Sequence, residues 1–309
     1  MTRRQDGARR AWTVGAGLAA VGIVASAALA AFGRGGGRPA AGGGVTNGKA
    51  PVMAEADPAT HQNVTHSLAT QEVLGNAAAY NRWLVDTLQG AWAGAERVLD
   101  VGCSIGNVTG VVATRLAETR GTPGLVVGIE IIPDAAQRFA ERFADRSDLR
   151  VVCGDITEPT PELREFEPFD AAVSFNVIEH IEDDVGALRA IANRLGPGGR
   201  LGVLVPGGGR RLYGTLDALD RHYRRYTPSL LGERFDEAGF EVISIRRVNM
   251  IGALLWFLKG RVVRSQEFHA GEVKSFDRVV PVLRRLDSWC GPPFGQSLAA
   301  VGRVRRPSS

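Results

Sequence analysis

Apolar runs and amphipathic stretches alternate along the middle of the chain. Val98 to Val101, Leu125 to Glu130, Leu149 to Cys153, Phe169 to Asn176 and Arg200 to Val205 are short and rich in apolar, often β-branched residues, the signature of strands buried on both faces of a parallel sheet. Between the first two, Val108, Val111, Val112 and Leu116 recur at helical spacing, which predicts a helix over Asn107 to Glu118. A second helix is predicted from Asp183 to Leu195, stopped by Gly196-Pro197-Gly198-Gly199, and a third near Ser229 to Ala238. Strand and helix in turn at short intervals predict an α/β domain. Its sheet is mostly parallel, with helices on both faces and ligands at the carboxyl ends of the strands.

The sharpest chemical signal lies where the first strand ends. Gly102-Cys103-Ser104-Ile105-Gly106 follows Asp100 and Val101 and opens into a helix. Its glycines let the backbone turn tightly beneath a ligand, and the helix start directs free N–H groups at it. The dinucleotide fingerprint G-x-G-x-x-G does not fit, because the glycines fall at 102, 106 and 110. A hydrolase elbow G-x-S-x-G is formally spelled with Ser104 as nucleophile, but the chain before it is short for the preceding strands and carries no His-Gly-Gly-Gly run. The next two strands end on acids. Glu130 is suited to accept both hydroxyls of a ribose, with a place beside a helix start as the plain alternative. Asp155 reads as an acceptor for an adenine amino group with Ile156 against the ring, or as a turn aspartate.

Taken together, Val98-Leu99-Asp100-Val101-Gly102-Cys103, Glu130, Gly154-Asp155, Asn176-Val177-Ile178-Glu179-His180 and Leu195-Gly196-Pro197-Gly198-Gly199 resemble the class I S-adenosyl-L-methionine (SAM)-dependent methyltransferases. The resemblance spans roughly residues 70 to 305 and is specific as a combination. It is nearest to a bacterial type 11/12-like subgroup often associated with glycosyltransferases. It implies a Rossmann-like seven-stranded sheet whose last strand, Ser297 to Val304, runs antiparallel, with a helical insertion before that strand. It also implies S-adenosyl-L-methionine as cofactor, with Asp100, Gly102, Ser104 and Gly106 shaping the pocket for the methionine portion. Glu130 would take the ribose, Asp155 and Ile156 the adenine, and Asn176 would border the same pocket. Ser104 stands where the family carries glycine.

The implied chemistry is an in-line displacement in which the protein aligns donor and acceptor in a dry pocket. For a hydroxyl acceptor, His180 is expected as the base and His222 as the second candidate, since imidazole titrates near neutrality; helix-start packing is the plain alternative for Glu179 and His180. Some relatives bind a divalent metal through E-x-x-E-H, but Asn176 occupies the first position, so no metal is expected. Tyr213, Tyr223, Arg224 and Arg225 are expected to hold the acceptor by stacking and by charged hydrogen bonds, against the plain reading of a basic loop in water. Val248 to Val263, apolar with basic ends, reads either as an interfacial helix or as packing over the active site. The substrate-side insertions cover about 206–227 and 248–293. The expected acceptor is a small molecule, a carbohydrate or a lipid-linked compound, methylated at oxygen. A Ser104 hydrolase and a non-catalytic, membrane-tethered SAM-fold binding module are the rival functions.

Charge and composition sharpen this picture at the ends. The chain has 309 residues and a formal charge of +4. Residues 1–52 hold seven basic residues against one acid, and the remainder is slightly acidic at −2, so the basic balance gives no support for nucleic acid as partner. Cys103, Cys153 and Cys290 are odd in number and lack C-x-x-C spacing, which implies neither a disulfide framework nor a zinc site. Residues 1–52 read as a low-complexity leader before a catalytic domain at 53–309. Within it, Ala11 to Phe32 carries no charge and follows Arg9 and Arg10, a pattern for a transmembrane anchor, a cleaved signal, or an over-extended start ahead of Met53. The expectation is a cytoplasmic catalytic domain, possible membrane association and an unspecified oligomeric state.

Overall fold

The computed structural model describes residues 68, 71–214, 217–218, 221–250, 270–290 and 294–305. Seven strands form one sheet: β1 (Arg97–Val101), β2 (Leu125–Glu130), β3 (Leu149–Cys153), β4 (Phe169–Phe175), β5 (Leu195–Pro206), β6 (Phe240–Val248) and β7 (Ser297–Val304). Their spatial order is β3-β2-β1-β4-β5-β7-β6. β7 runs antiparallel to both β5 and β6, and the pairs among β1 to β5 are parallel. The order of strands runs from β1 outward to β2 and β3 on one side and to β4 and β5 on the other, a switch point that opens a crevice at the carboxyl ends of these strands, where α/β sheets bind ligands.

Alternation along each strand divides the core in two. Val98, Val126 and Val173 pack on one face, while Leu99, Val127 and Ala172 pack on the other. The first face is covered by α1 (Ala78–Thr87) and α2 (Thr109–Arg120). On the second lie α4 (Asp184–Ala192), through Leu188 and Ile191, and α5 (Pro228–Glu237), through Leu231 and Phe235. Between β2 and β3, α3 (Pro133–Arg142) starts on a proline at its first position, a residue preorganised for that site. The last long helix, α6 (Ala270–Cys290), places the Asp277 carboxylate on the N–H groups of Ala79 and Tyr80. That contact satisfies donors at the start of α1, which has no cap of its own.

Two elements differ from the sequence expectation. The helix expected to reach Leu195 ends at Ala192, and the Gly196 to Gly199 run belongs to β5, where pairing with β4 shifts register between Phe169 and Ala171. The chain leaves the helix early because Phe169 N–H takes the Arg194 carbonyl, which starts the strand ladder. The edge strand β6 was not anticipated: most of its side chains are at least partly exposed, so its apolar alternation is weak. Among the described residues no helix is long and apolar enough to cross a membrane. The leader at 1–52 and most of the apolar segment at 248–263 lie outside the described residues.

Candidate active site

A cavity at the carboxyl ends of β1, β2 and β3 is lined by Val101, Gly102, Ile129, Glu130, Ile131, Gly154, Asp155, Ile156, Thr157, Val177 and Ile181. Parallel registry sets Val101 beside Ile129, and Ile129 beside Val152, so the three strand ends arrive together. The backbone above β1 turns in left-handed geometry at Gly102 (φ 74°), Ser104 (φ 48°) and Gly106 (φ 80°). A Cβ on Gly102 would come within 2.4 Å of Val177 Cγ2, and one on Gly106 would strike the rings of Phe139 and Phe143. These two positions therefore require glycine for space as well as for torsion.

Glu130 is 1% exposed and holds the loop together. Its Oε2 accepts from Ser104 N at 2.7 Å and its Oε1 from Ile132 N at 2.9 Å. Burial raises its pKa, and these backbone N–H groups pull it back toward the ionised form. Asp155 lines the cavity while its Oδ1 takes Thr157 N and Oγ1, both at 2.8 Å. Asp155 thus makes the contacts of a turn aspartate while standing at the cavity. Ile156 is buried against the same cavity.

Asp100 sits elsewhere. It is buried beneath the loop, away from the cavity lining, and accepts from Thr109 Oγ1 at 2.7 Å. Burial, with Glu130 nearby, pushes its pKa up to about 7, against the lowering effect of the Thr109 bond. Asn176 follows β4 at φ 53°, its N–H bonded to the Leu204 carbonyl at 2.7 Å, and it too is outside the lining. Ser104 contributes its backbone N–H, which donates to Glu130.

Beside the cavity lies a buried polar cluster. The single turn Ile178–His180 is flanked by Val177 and Ile181, both cavity-lining, and Tyr223 N–H donates to the Glu179 carbonyl at 2.9 Å. This joins the turn to the 217–226 segment and sets the His180 and His222 rings edge to face, with centroids 4.7 Å apart. His222 Nδ1 lies 2.9 Å from Asp217 Oδ1, and Arg225 Nε donates to the same oxygen at 2.7 Å. Burial alone would push the Asp217 carboxyl up, but the His222 bond and the Arg225 charge outweigh it and hold the pKa below the usual range. Glu179 is fully buried and its pKa is pushed up to about 7 by burial, with His222 acting in the opposite direction.

The four expected acceptor residues divide. Tyr213 and Tyr223 are exposed, the former donating its hydroxyl to the His222 carbonyl. Arg224 instead reaches the carbonyls of Ile181 and Glu182 and pairs with Asp184 at 2.9 Å. Arg225 is buried between Asp217 and the Gly207 carbonyl. Sequence reasoning missed Val177, Ile181 and Asp217. The first two were legible as the apolar positions around Glu179 and His180, whereas the pairing of Asp217 with His222 across a loop has no local signature.

Strand order, glycine loop and acid-tipped β2 and β3 define an α/β domain built to hold an adenosine-bearing cofactor. Residues 99–201 match the family model described as a methyltransferase domain, and the chain carries a class I SAM-dependent methyltransferase domain with SAM as its cofactor. It is 33% identical over 111 residues to a trans-aconitate 2-methyltransferase of Streptomyces avermitilis, covering 36% of this chain and 39% of that protein. It is 38% identical over 112 residues to an uncharacterized methyltransferase of Mycobacterium tuberculosis, covering 36% of this chain and 51% of that protein. The chain thus spans about half or less of the curated relatives it matches. The solved structure of a mitomycin 7-O-methyltransferase shares the fold at TM-score 0.50 and 15% identity, over 81% of this chain and 58% of that one.

Proposed function

We propose that this protein methylates a hydroxyl oxygen of a small-molecule acceptor. The observation that carries the reading is the adjacency of two features: a cavity with the carboxylates and apolar walls suited to adenosine, and a buried Glu-His-His-Asp cluster reached through Val177 and Ile181. SAM, when bound, supplies an electrophilic methyl on a sulfonium. Glu130 is assigned to the ribose hydroxyls, Asp155 and Ile156 to the adenine, and the Gly102–Gly106 loop to the methionine portion, with Asp100 tying that loop to α2 through Thr109. In the transfer, an oxygen lone pair of the acceptor forms the new O–CH3 bond while the S–CH3 pair returns to sulfur, and the acceptor proton must leave. The cluster around His180 and His222 is the device that eases that loss. Tyr213 and Tyr223 flank the acceptor on the solvent side. A relative whose name makes it an O-methyltransferase of ubiquinone biosynthesis, from Aeromonas salmonicida at 27% identity, is in keeping with oxygen as target. The lipid-linked form of the acceptor belongs to the same proposal through the apolar 248–263 segment.

The test is incubation of the full chain with methyl-labelled SAM and a metabolite extract, followed by isolation of the labelled product. Label on a hydroxyl-derived oxygen supports the reading, and label on nitrogen or carbon overturns the choice of atom.

A further inference from the structure

The structure completes a ligand set that the sequence left at two residues. Glu179, His180 and His222 are buried together, and each offers a carboxylate oxygen or ring nitrogen within 4.8 Å of the others. Neither carboxylate oxygen of Glu179 has a hydrogen-bond partner among the described residues. A wholly buried carboxylate left so is costly, and buried charges are normally paired or bound to metal. His222 has its Nδ1 against the Asp217 carboxylate, the outer contact by which metal-binding histidines are oriented, so that Nε2 is the ligating nitrogen. Arg225 holds that carboxylate from a second side.

We propose that Glu179, His180 and His222 form a divalent-cation site, with Asp217 orienting His222. Two imidazoles and one carboxylate are a borderline donor set, which suits zinc, cobalt, manganese or ferrous iron better than the all-oxygen preference of calcium or magnesium. Three protein ligands leave coordination positions for an oxygen of the acceptor, and the neighbouring Val177 and Ile181 put the site beside the cofactor cavity. Cation binding stands on these residues alone. Its use in acidifying the acceptor hydroxyl rests on the oxygen-methylation reading; in that form the imidazoles act as ligands, and the proton passes to water.

The test uses the purified full chain, stripped with chelator and titrated with Co2+, the binding read from visible ligand-field absorption and then from displacement by Zn2+. The expected result is one cation per chain in a four- or five-coordinate spectrum. Glu179→Gln should weaken it roughly 100-fold or more and Asp217→Asn roughly 10- to 100-fold. Absence of stoichiometric binding by the unaltered chain overturns the proposal whatever the variants do. So does binding equally tight in Glu179→Gln and His222→Ala. The position of the transferred label is measured separately, so failure of the oxygen reading leaves the cation count intact, and the reverse holds too.

Discussion

The backbone N–H of Ser104 donates to Glu130 Oε2 at 2.7 Å, joining the turn above β1 to the tip of β2. One carboxylate thereby both shapes the loop and lines the cavity. Because the demand on residue 104 falls on its backbone, Ser104→Gly should keep SAM affinity within about twofold, glycine adopting φ 48° without strain. Calorimetry with the variant checks this, and a fluorophosphonate probe should leave Ser104 unlabelled. Labelling there would favour the hydrolase reading.

Gly102 is the opposite case. Gly102→Ala adds a Cβ 2.4 Å from Val177 at a positive φ, so both torsion and space oppose it. Destabilisation of about 1–3 kcal/mol is expected, together with weaker SAM binding. Urea unfolding and calorimetry on the same preparation check it; unchanged values in both would mean that the loop relaxes freely.

Asp100 makes stability pH-dependent. Its folded-state pKa is raised to about 7 from 3.8, so between roughly pH 4 and 7 the folded chain retains a proton that the unfolded chain has released. Stability from this group is therefore lost as pH rises through that window, by at most about 1.4 kcal/mol per pH unit. Asp100→Asn, which keeps an acceptor for Thr109, should remove the loss. Unfolding free energies at pH 5 and 7.5 should then favour the variant increasingly at the higher pH; a constant difference would contradict the assignment.

The fold was largely legible because buried parallel strands are continuous apolar runs. β2 and β3 appear at the residues expected for them, β7 appears at those the family resemblance implied, and Glu130, Asp155 and Ile156 all line the cavity. What periodicity could not supply was long-range pairing. The resemblance implied that Asp100 shapes the pocket for the methionine portion, but its bond to Thr109 under the loop has no local signature. Arg225 looked like an acceptor ligand because cations are usually exposed, but Asp217 and the Gly207 carbonyl pair it in the interior. The meeting of His180 with His222 depends on the Tyr223-to-Glu179 backbone bond, a contact that no local pattern announces.

These placements separate two neighbours. Tyr223 is 54% exposed and Arg225 is 4% exposed. Tyr223→Ala should raise the acceptor KM with little change in stability or SAM affinity. Arg225→Ala should instead destabilise the protein by about 3 kcal/mol, since it strips a partner from a buried carboxylate. Thermal unfolding alongside steady-state kinetics checks the pair. Equal stability in both variants would return Arg225 to the acceptor side.

Calorimetric titration of the full chain with SAM and with S-adenosylhomocysteine, alongside Glu130→Ala, tests the cofactor pocket most directly. The unaltered chain should bind one molecule of either ligand, and the variant should lose about 1.5–3 kcal/mol for both as charged hydrogen bonds to the ribose disappear. Equal affinity in the two proteins would remove Glu130 from the site, and saturable binding of NAD in place of SAM would contradict the account at its centre.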